Sequence, residues 1–101
     1  MKVRYKRTAI EDIQATEDYI RSVLRNASAA RKLTGRIAQA VSLLADNPYM
    51  GTSLSSRFDV DSDLRYLLVS DQLIFYRVVE ESYVEVTRVL NGRQDYIGIL
   101  F

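Results

Sequence analysis

The spacing of apolar residues along this chain changes once, near Asn47-Pro48, and that change limits the folds open to it. Before it, Ala9, Ile13, Thr16, Ile20, Val23, Leu24 and Ala27 recur at steps of three and four, as do Leu33, Ile37, Ala40, Val41 and Leu44. Such steps put side chains on one stripe of a helix, and a stripe of that kind must be buried. After the change, residues 64–69, 73–79 and 83–90 are rich in β-branched and aromatic residues, and Ser70-Asp71-Gln72 and Glu80-Glu81-Ser82 separate them. These runs read as three antiparallel strands in a meander.

Local signals set the boundaries. Val3 and Tyr5 alternate with Lys2, Arg4 and Lys6, the period of a short strand with one wet face. Thr8 followed by Glu11 has the spacing of a capping box and predicts a helix start, with the helix running to about Arg25. Asn26 and Ser28 supply a stop and a new cap, and so short a connection predicts a helical hairpin. Asn47-Pro48 closes the second helix, because proline disfavours helical geometry in the residue before it. Residues 51–63 read as loop. The expected architecture is an α+β fold, β-α-α-β-β-β, with the helical hairpin packed on one face of an antiparallel sheet, in a single domain over 1–101.

Alternation within the strands distinguishes the sheet's two faces. Ile74, Tyr76 and Val78 share one face, and Phe75, Arg77 and Val79 share the other. Val84 and Val86 similarly oppose Glu85 and Thr87. The oilier face takes the hairpin; the mixed face is left for a partner. Arg88 falls in step with Val84, Val86 and Leu90 on the core face, where it needs an ion pair with the acidic loop or a helix end.

Composition removes several chemistries. With no cysteine there are no disulfides or thiolate metal sites, and with no histidine the usual general base and metal ligand are missing. Asp59, Asp61 and Asp63 have the alternate spacing of a calcium loop, but Leu64 stands where the turn glycine belongs and no closing glutamate follows. No metal or cofactor is expected. No window approaches the roughly 20 apolar residues that span a bilayer, so neither a membrane nor a signal peptide is expected and the cytoplasm is the default location.

Net charge is +1, but residues 1–36 carry nine Lys/Arg against four Asp/Glu, and residues 37–101 carry five against nine. A basic half attracts phosphates or acidic protein, although helix periodicity turns most of these charges toward solvent. The tyrosines read mainly as core edges with a wet hydroxyl, secondarily as stacking surfaces for nucleic acid. Arg65, Arg77 and Arg93 lie in strands or at their ends, where a forked guanidinium needs a carboxylate, a carbonyl or a phosphate.

Three stretches carry a resemblance: Leu64-Arg65, Leu73-Ile74-Phe75-Tyr76-Arg77-Val78, and Thr87-Arg88-Val89-Leu90-Asn91-Gly92-Arg93-Gln94-Asp95. Together with the helix exit from Leu44 to Gly51, they resemble the RelE/ParE toxin superfamily of type II toxin–antitoxin systems. The resemblance spans essentially the whole chain and is closer to the ParE branch. RelE-like members cut mRNA on the ribosome with lysines, arginines and a tyrosine near the C-terminus. Here Leu73 stands where they tend to have arginine, and 64–67 lacks their lysines. The Phe75-Tyr76-Arg77 strand and the string after Arg88 look like ParE, with Asn91 where histidine is usual.

The ParE resemblance implies a cytoplasmic toxin for plasmid stabilisation and growth inhibition, one that poisons DNA gyrase without a catalytic constellation of its own. It also implies a cognate antitoxin whose segment wraps the toxin. Arg65, Phe75, Arg77, Arg93 and Tyr96 are then the candidate contacts for target or antitoxin. The alternative is a ribosome-dependent mRNA endonuclease in which Arg65, Arg93 and Tyr96 are catalytic and the ribosome and mRNA are partners. A third reading is a degenerate relative that binds only antitoxin.

Overall fold

The computed structural model describes all 101 residues. In chain order they form β1 (Lys2–Tyr5), α1 (Arg7–Ser22), α2 (Ala27–Leu43), β2 (Thr52–Ser53), α3 (Leu54–Arg57), β3 (Arg65–Val69), β4 (Gln72–Val79), β5 (Tyr83–Asn91) and α4 (Tyr96–Leu100). The fold is α+β: a mostly antiparallel open sheet in the order β1-β5-β4-β3-β2, with the α1–α2 hairpin on one face. Helical and strand segments fall where the two apolar periods predict them. β1 is the parallel member, pairing with β5 from Lys2↔Tyr83 to Tyr5↔Val86.

Local chemistry explains most boundaries, and two differ from expectation. The Asn26 carboxamide accepts from the Ala29 N–H at 3.0 Å and caps α2. At the start of α1, Lys6 is the cap residue and no side chain caps it. The Thr8 hydroxyl, expected in a capping box, instead donates to the Thr87 carbonyl at 2.8 Å, so it ties the helix to the sheet. The apolar stripe of α1 is also shorter than its spacing implies. Ala9 is fully buried, but Val23 and Leu24 lie beyond the last turn and are 63% and 56% exposed.

Residues 51–63 are not simply loop: they contain β2 and the single turn of α3. Leu54, at the start of that turn, is fully buried. Gly51 has a structural requirement of its own. A Cβ there would lie 2.5 Å from the Tyr76 hydroxyl and 2.9 Å from the Tyr66 carbonyl oxygen. Glycine therefore lets the Gly51 N–H donate to the buried Tyr76 hydroxyl at 2.8 Å. Burial pushes that phenol's pKa up.

Two apolar clusters hold the fold together. The first lies between sheet and hairpin, where Ala9, Ile37, Val41 and Leu44 meet Ile74, Tyr76, Val84, Val86 and Val89. The second lies on the opposite face: Leu54, Leu64, Leu73, Phe75 and Leu90 are buried, with Phe58, Tyr96, Ile97 and Leu100 packed against them. The face expected to remain open to a partner is thus largely covered by the chain itself, through α3, the segment after it, and α4.

A bulge in β5 changes which residues belong to which face. The β4–β5 register passes from Tyr76↔Val86 to Phe75↔Arg88, which leaves Thr87 as the extra residue. Its hydroxyl donates to the Phe75 carbonyl at 3.1 Å. Past the bulge the alternation flips, so Val89 joins Val84 and Val86 under the hairpin while Arg88 and Leu90 go to the far face. The placement of Arg88 and Leu90 on the core face is corrected accordingly. A single inserted residue reverses a period of two.

Candidate functional site

Where β1 stops at Tyr5, the outer edge of β5 would expose backbone groups, and the start of α1 takes them over. The Lys6 N–H donates to the Val86 carbonyl at 2.9 Å, and Thr8 serves the Thr87 carbonyl. Asp12 then accepts from the Val89 N–H at 2.9 Å. The same carboxylate receives Arg88 side-on, from Nε at 2.7 Å and Nη2 at 2.9 Å. The Arg88 partner is therefore in the second turn of α1, rather than in the acidic loop or at a helix end. This contact raises the guanidinium pKa further above its ordinary value. Nothing in the sequence singled out Asp12, because a strand-edge acceptor on a helix has no local spacing signature.

The five residues singled out for contact or catalysis are distributed over both faces. Arg65 pairs with Tyr76, and residues directly opposite in a ladder share a face, so Arg65 lies on the hairpin side. Its Nη1 donates to the Gly51 carbonyl at 2.9 Å and the Tyr49 carbonyl at 3.3 Å, and its guanidinium stands 5.1 Å over the Tyr49 ring. The Tyr49 hydroxyl in turn donates to Glu81, and that bond raises the phenol's pKa.

Phe75 is fully buried in the far-face cluster, so it presents no surface to a partner. Tyr96 packs its ring on Phe75 at 5.6 Å and edge-on to Phe58 at 5.9 Å. Arg93 is exposed in the turn after β5, where its N–H donates to the Asn91 side chain at 2.8 Å. Arg93 and Tyr96 follow the end of β5, where Asn91 pairs with Gln72. Arg65 pairs with Tyr76, four residues along β4, or about 13 Å. Arg65 and Tyr96 are thus on opposite faces of the sheet, and the three residues do not converge on one phosphate.

Arg77 occupies a far-face cleft of about 230 Å³ with Arg88, Lys6, Leu64, Ile99 and Leu100. Its Nη2 lies 3.6 Å from the exposed Asp63 carboxylate, while its Nε is buried with no acceptor in the protein.

A second, larger cleft of about 390 Å³ lies between β1 and the hairpin, with Tyr5, Ile10, Ile13 and Ile37 in its walls. Glu17 and Thr34 close one end of it. The Thr34 hydroxyl donates to Glu17 Oε2 at 2.7 Å, and Arg21 Nη2 donates to Oε1 at 2.7 Å. Those two bonds hold the Glu17 carboxyl below the ordinary carboxylate range. Around this cleft Ile10 and Tyr5 remain 43% and 37% exposed, an apolar concavity that the chain does not fill. No helix is long and apolar enough to cross a membrane.

A structure titled "Chromosomal ParDE TA system from P. aeruginosa" superposes with a TM-score of 0.73 at 22% identity, covering 90% of this chain and 95% of that one. At that identity the likeness is one of fold. No curated protein matches the sequence closely enough to count as a relative. The family model described as the ParE toxin of the type II toxin–antitoxin system parDE matches residues 3–96, nearly the whole chain. The chain belongs to the ParE toxin family.

Proposed function

We propose that this ParE-family chain acts by binding, as an inhibitor of DNA gyrase, and that a cognate antitoxin neutralises it. The observation that carries the choice against an mRNA endonuclease is the separation of Arg65 from Arg93 and Tyr96. Phosphodiester cleavage without a metal needs oriented cations and a proton donor aimed at one developing charge. Here the Arg65 fork is turned to backbone carbonyls on the hairpin side, and the Tyr96 ring is built into the apolar cluster on the other. Leu73, in the position where the ribonuclease branch tends to carry arginine, is part of that cluster.

The cleft between β1 and the hairpin supports the antitoxin reading. An amphipathic segment that orders on binding gains most by burying an apolar groove already formed. The toxic surface proposed is the C-terminal end, where Arg93 is exposed in the turn after β5 and Ile99 and Phe101 stay exposed while Tyr96, Ile97 and Leu100 pack on the far-face cluster.

The test uses purified chain, gyrase and supercoiled plasmid, scored for linear DNA trapped by gyrase, alongside a translating extract scored for mRNA cuts. Trapped cleavage with intact mRNA is expected. Arg93→Ala, in an exposed turn that lines neither cleft, should remove most of the trapping and leave antitoxin binding within about threefold. Codon-phased mRNA cuts would replace this reading with the ribonuclease. Neither effect, from a folded chain, would leave a relative that serves only as an antitoxin partner.

A further inference from the structure

Two arginines share the far-face cleft, and they differ in what their side-on edge meets. Arg88 presents Nε and Nη2 to both oxygens of Asp12, at 2.7 and 2.9 Å, a bidentate pair with its charge fully matched. Arg77 has the same edge without the same partner. Its Nε is buried and meets no acceptor, and its Nη2 has only the 3.6 Å contact with Asp63, whose side chain is 66% exposed. Glu85 stands across the ladder from Arg77 and from Arg4, yet ion-pairs with neither. Lys6, at the rim, has no carboxylate partner either.

A buried donor without an acceptor is costly, and a carboxylate that met Nε and Nη2 together would relieve that cost while matching the charge. We propose that this cleft receives a carboxylate side chain from a bound peptide, clasped side-on by Arg77 and drawn in by Lys6. The inference rests on the reading that a protein segment binds this toxin, and it names the chemistry of one residue of that segment. Turning the Arg77 fork toward the cleft gives up only the weak Asp63 contact. Leu64, Ile99 and Leu100 supply the apolar part of the lining, so the incoming group carries its charge on a short apolar stem, as glutamate does. A nucleic-acid phosphate fits less well. Phosphates are tracked by cations on open surface, whereas this recess is lined in part by apolar side chains.

The experiment follows arginine Nε–Hε resonances in the full isotope-labelled chain during titration with N-acetyl-leucyl-glutamate amide, its glutamine counterpart and inorganic phosphate. The glutamate peptide should shift the Arg77 signal saturably, with a Kd on the order of millimolar, since a single ion pair is worth a few kcal/mol. The Arg88 signal, already held by Asp12, should move much less. Arg77→Lys, followed instead by the backbone amide signals of the cleft, keeps the charge but loses the fork and should weaken binding about tenfold, the loss of one charge-assisted bond. Should that variant fail to fold, exposed Lys6→Gln should still weaken binding severalfold. An equal response to the glutamine peptide, no saturable shift, or tighter binding of phosphate would each overturn the proposal. No antitoxin and no gyrase enter the measurement, so its failure leaves the toxin reading standing, and the failure of that reading leaves this result intact.

Discussion

The two faces of the sheet are closed by different means. Under the hairpin, Leu44, Ile74, Tyr76, Val84 and Val86 are fully buried, and two long helices provide the cover. On the far face a smaller cluster is covered by one turn of α3, the segment after it and α4, a helix of five residues with no buried member. Charged groups border that cover: Arg77 and Arg88 sit beside it and Arg93 just before it. A thick apolar layer gives the stability, and the thin one leaves charged chemistry within reach of a partner. The difference follows from burial: large cores supply most of the favourable free energy, while groups needed for recognition must keep some contact with solvent.

That contrast predicts where the fold breaks most easily. Val86→Asp places an unpaired charge in the hairpin-side core and should abolish cooperative folding, since the penalty rivals the roughly 5–15 kcal/mol that holds such a domain together. Leu44→Ala, at the same face, should cost roughly 2–5 kcal/mol through the cavity it leaves. Denaturant unfolding followed by circular dichroism measures both. A cooperative transition for Val86→Asp near that of the parent would show that the hairpin face is not the main source of stability.

Much of this contrast was legible in the sequence, and its limits are physical. The hairpin and the three long strands follow from apolar spacing, which reports burial over many residues at once. Asn26 as a cap and Pro48 as a terminator follow from backbone chemistry confined to a few neighbours. The bulge at Thr87 has no such signature, because an extra residue in a strand looks like any other until its partner strand is placed. It moved Arg88 and Leu90 to the opposite face and so changed the inventory of the candidate site. The closure of the far face depended on Leu54 and α4, whose short stretches carry too few turns to show a period. Of the site residues, Arg77 and Arg93 are accessible in part and Phe75 is enclosed, a distinction that depends on the cover rather than on the strand.

The boundary between the faces provides the next test. Asp12 holds the Val89 N–H and both donors of the Arg88 edge, so one carboxylate joins α1 to the open side of β5. Asp12→Ala leaves an edge donor and a partly buried cation without partners, and should cost on the order of 2–3 kcal/mol, less than a fully enclosed pair because solvent still reaches Arg88. Asp12→Asn retains one acceptor and should recover part of that loss. Hydrogen exchange at Val89 should accelerate in the alanine variant. If stability and exchange both stay at parent values, the β5 edge is held by β1, Lys6 and Thr8 without help from Asp12.

The smallest effect is expected at the mouth of the hairpin-side cleft, where the thick face is itself incomplete. Glu17 accepts from Thr34 across the hairpin and from Arg21 one turn along α1, and these bonds favour its ionised form. A carboxyl whose folded pKa lies below its unfolded value adds stability that is fully present above the unfolded pKa. That contribution is lost as pH falls through the folded one. Thr34→Val removes the larger cause while keeping the side chain's shape, so the Glu17 carboxyl resonance should titrate at a higher pH than in the parent, with Arg21 alone holding it down. The acid limb of the stability curve should flatten correspondingly, by a small amount because the pair is solvent-screened. An unchanged Glu17 midpoint would mean that α1 and α2 meet at this point by apolar packing only. The cleft would then have no polar tie at its mouth, leaving Ile10, Ile13 and Ile37 to determine how closely the helices approach.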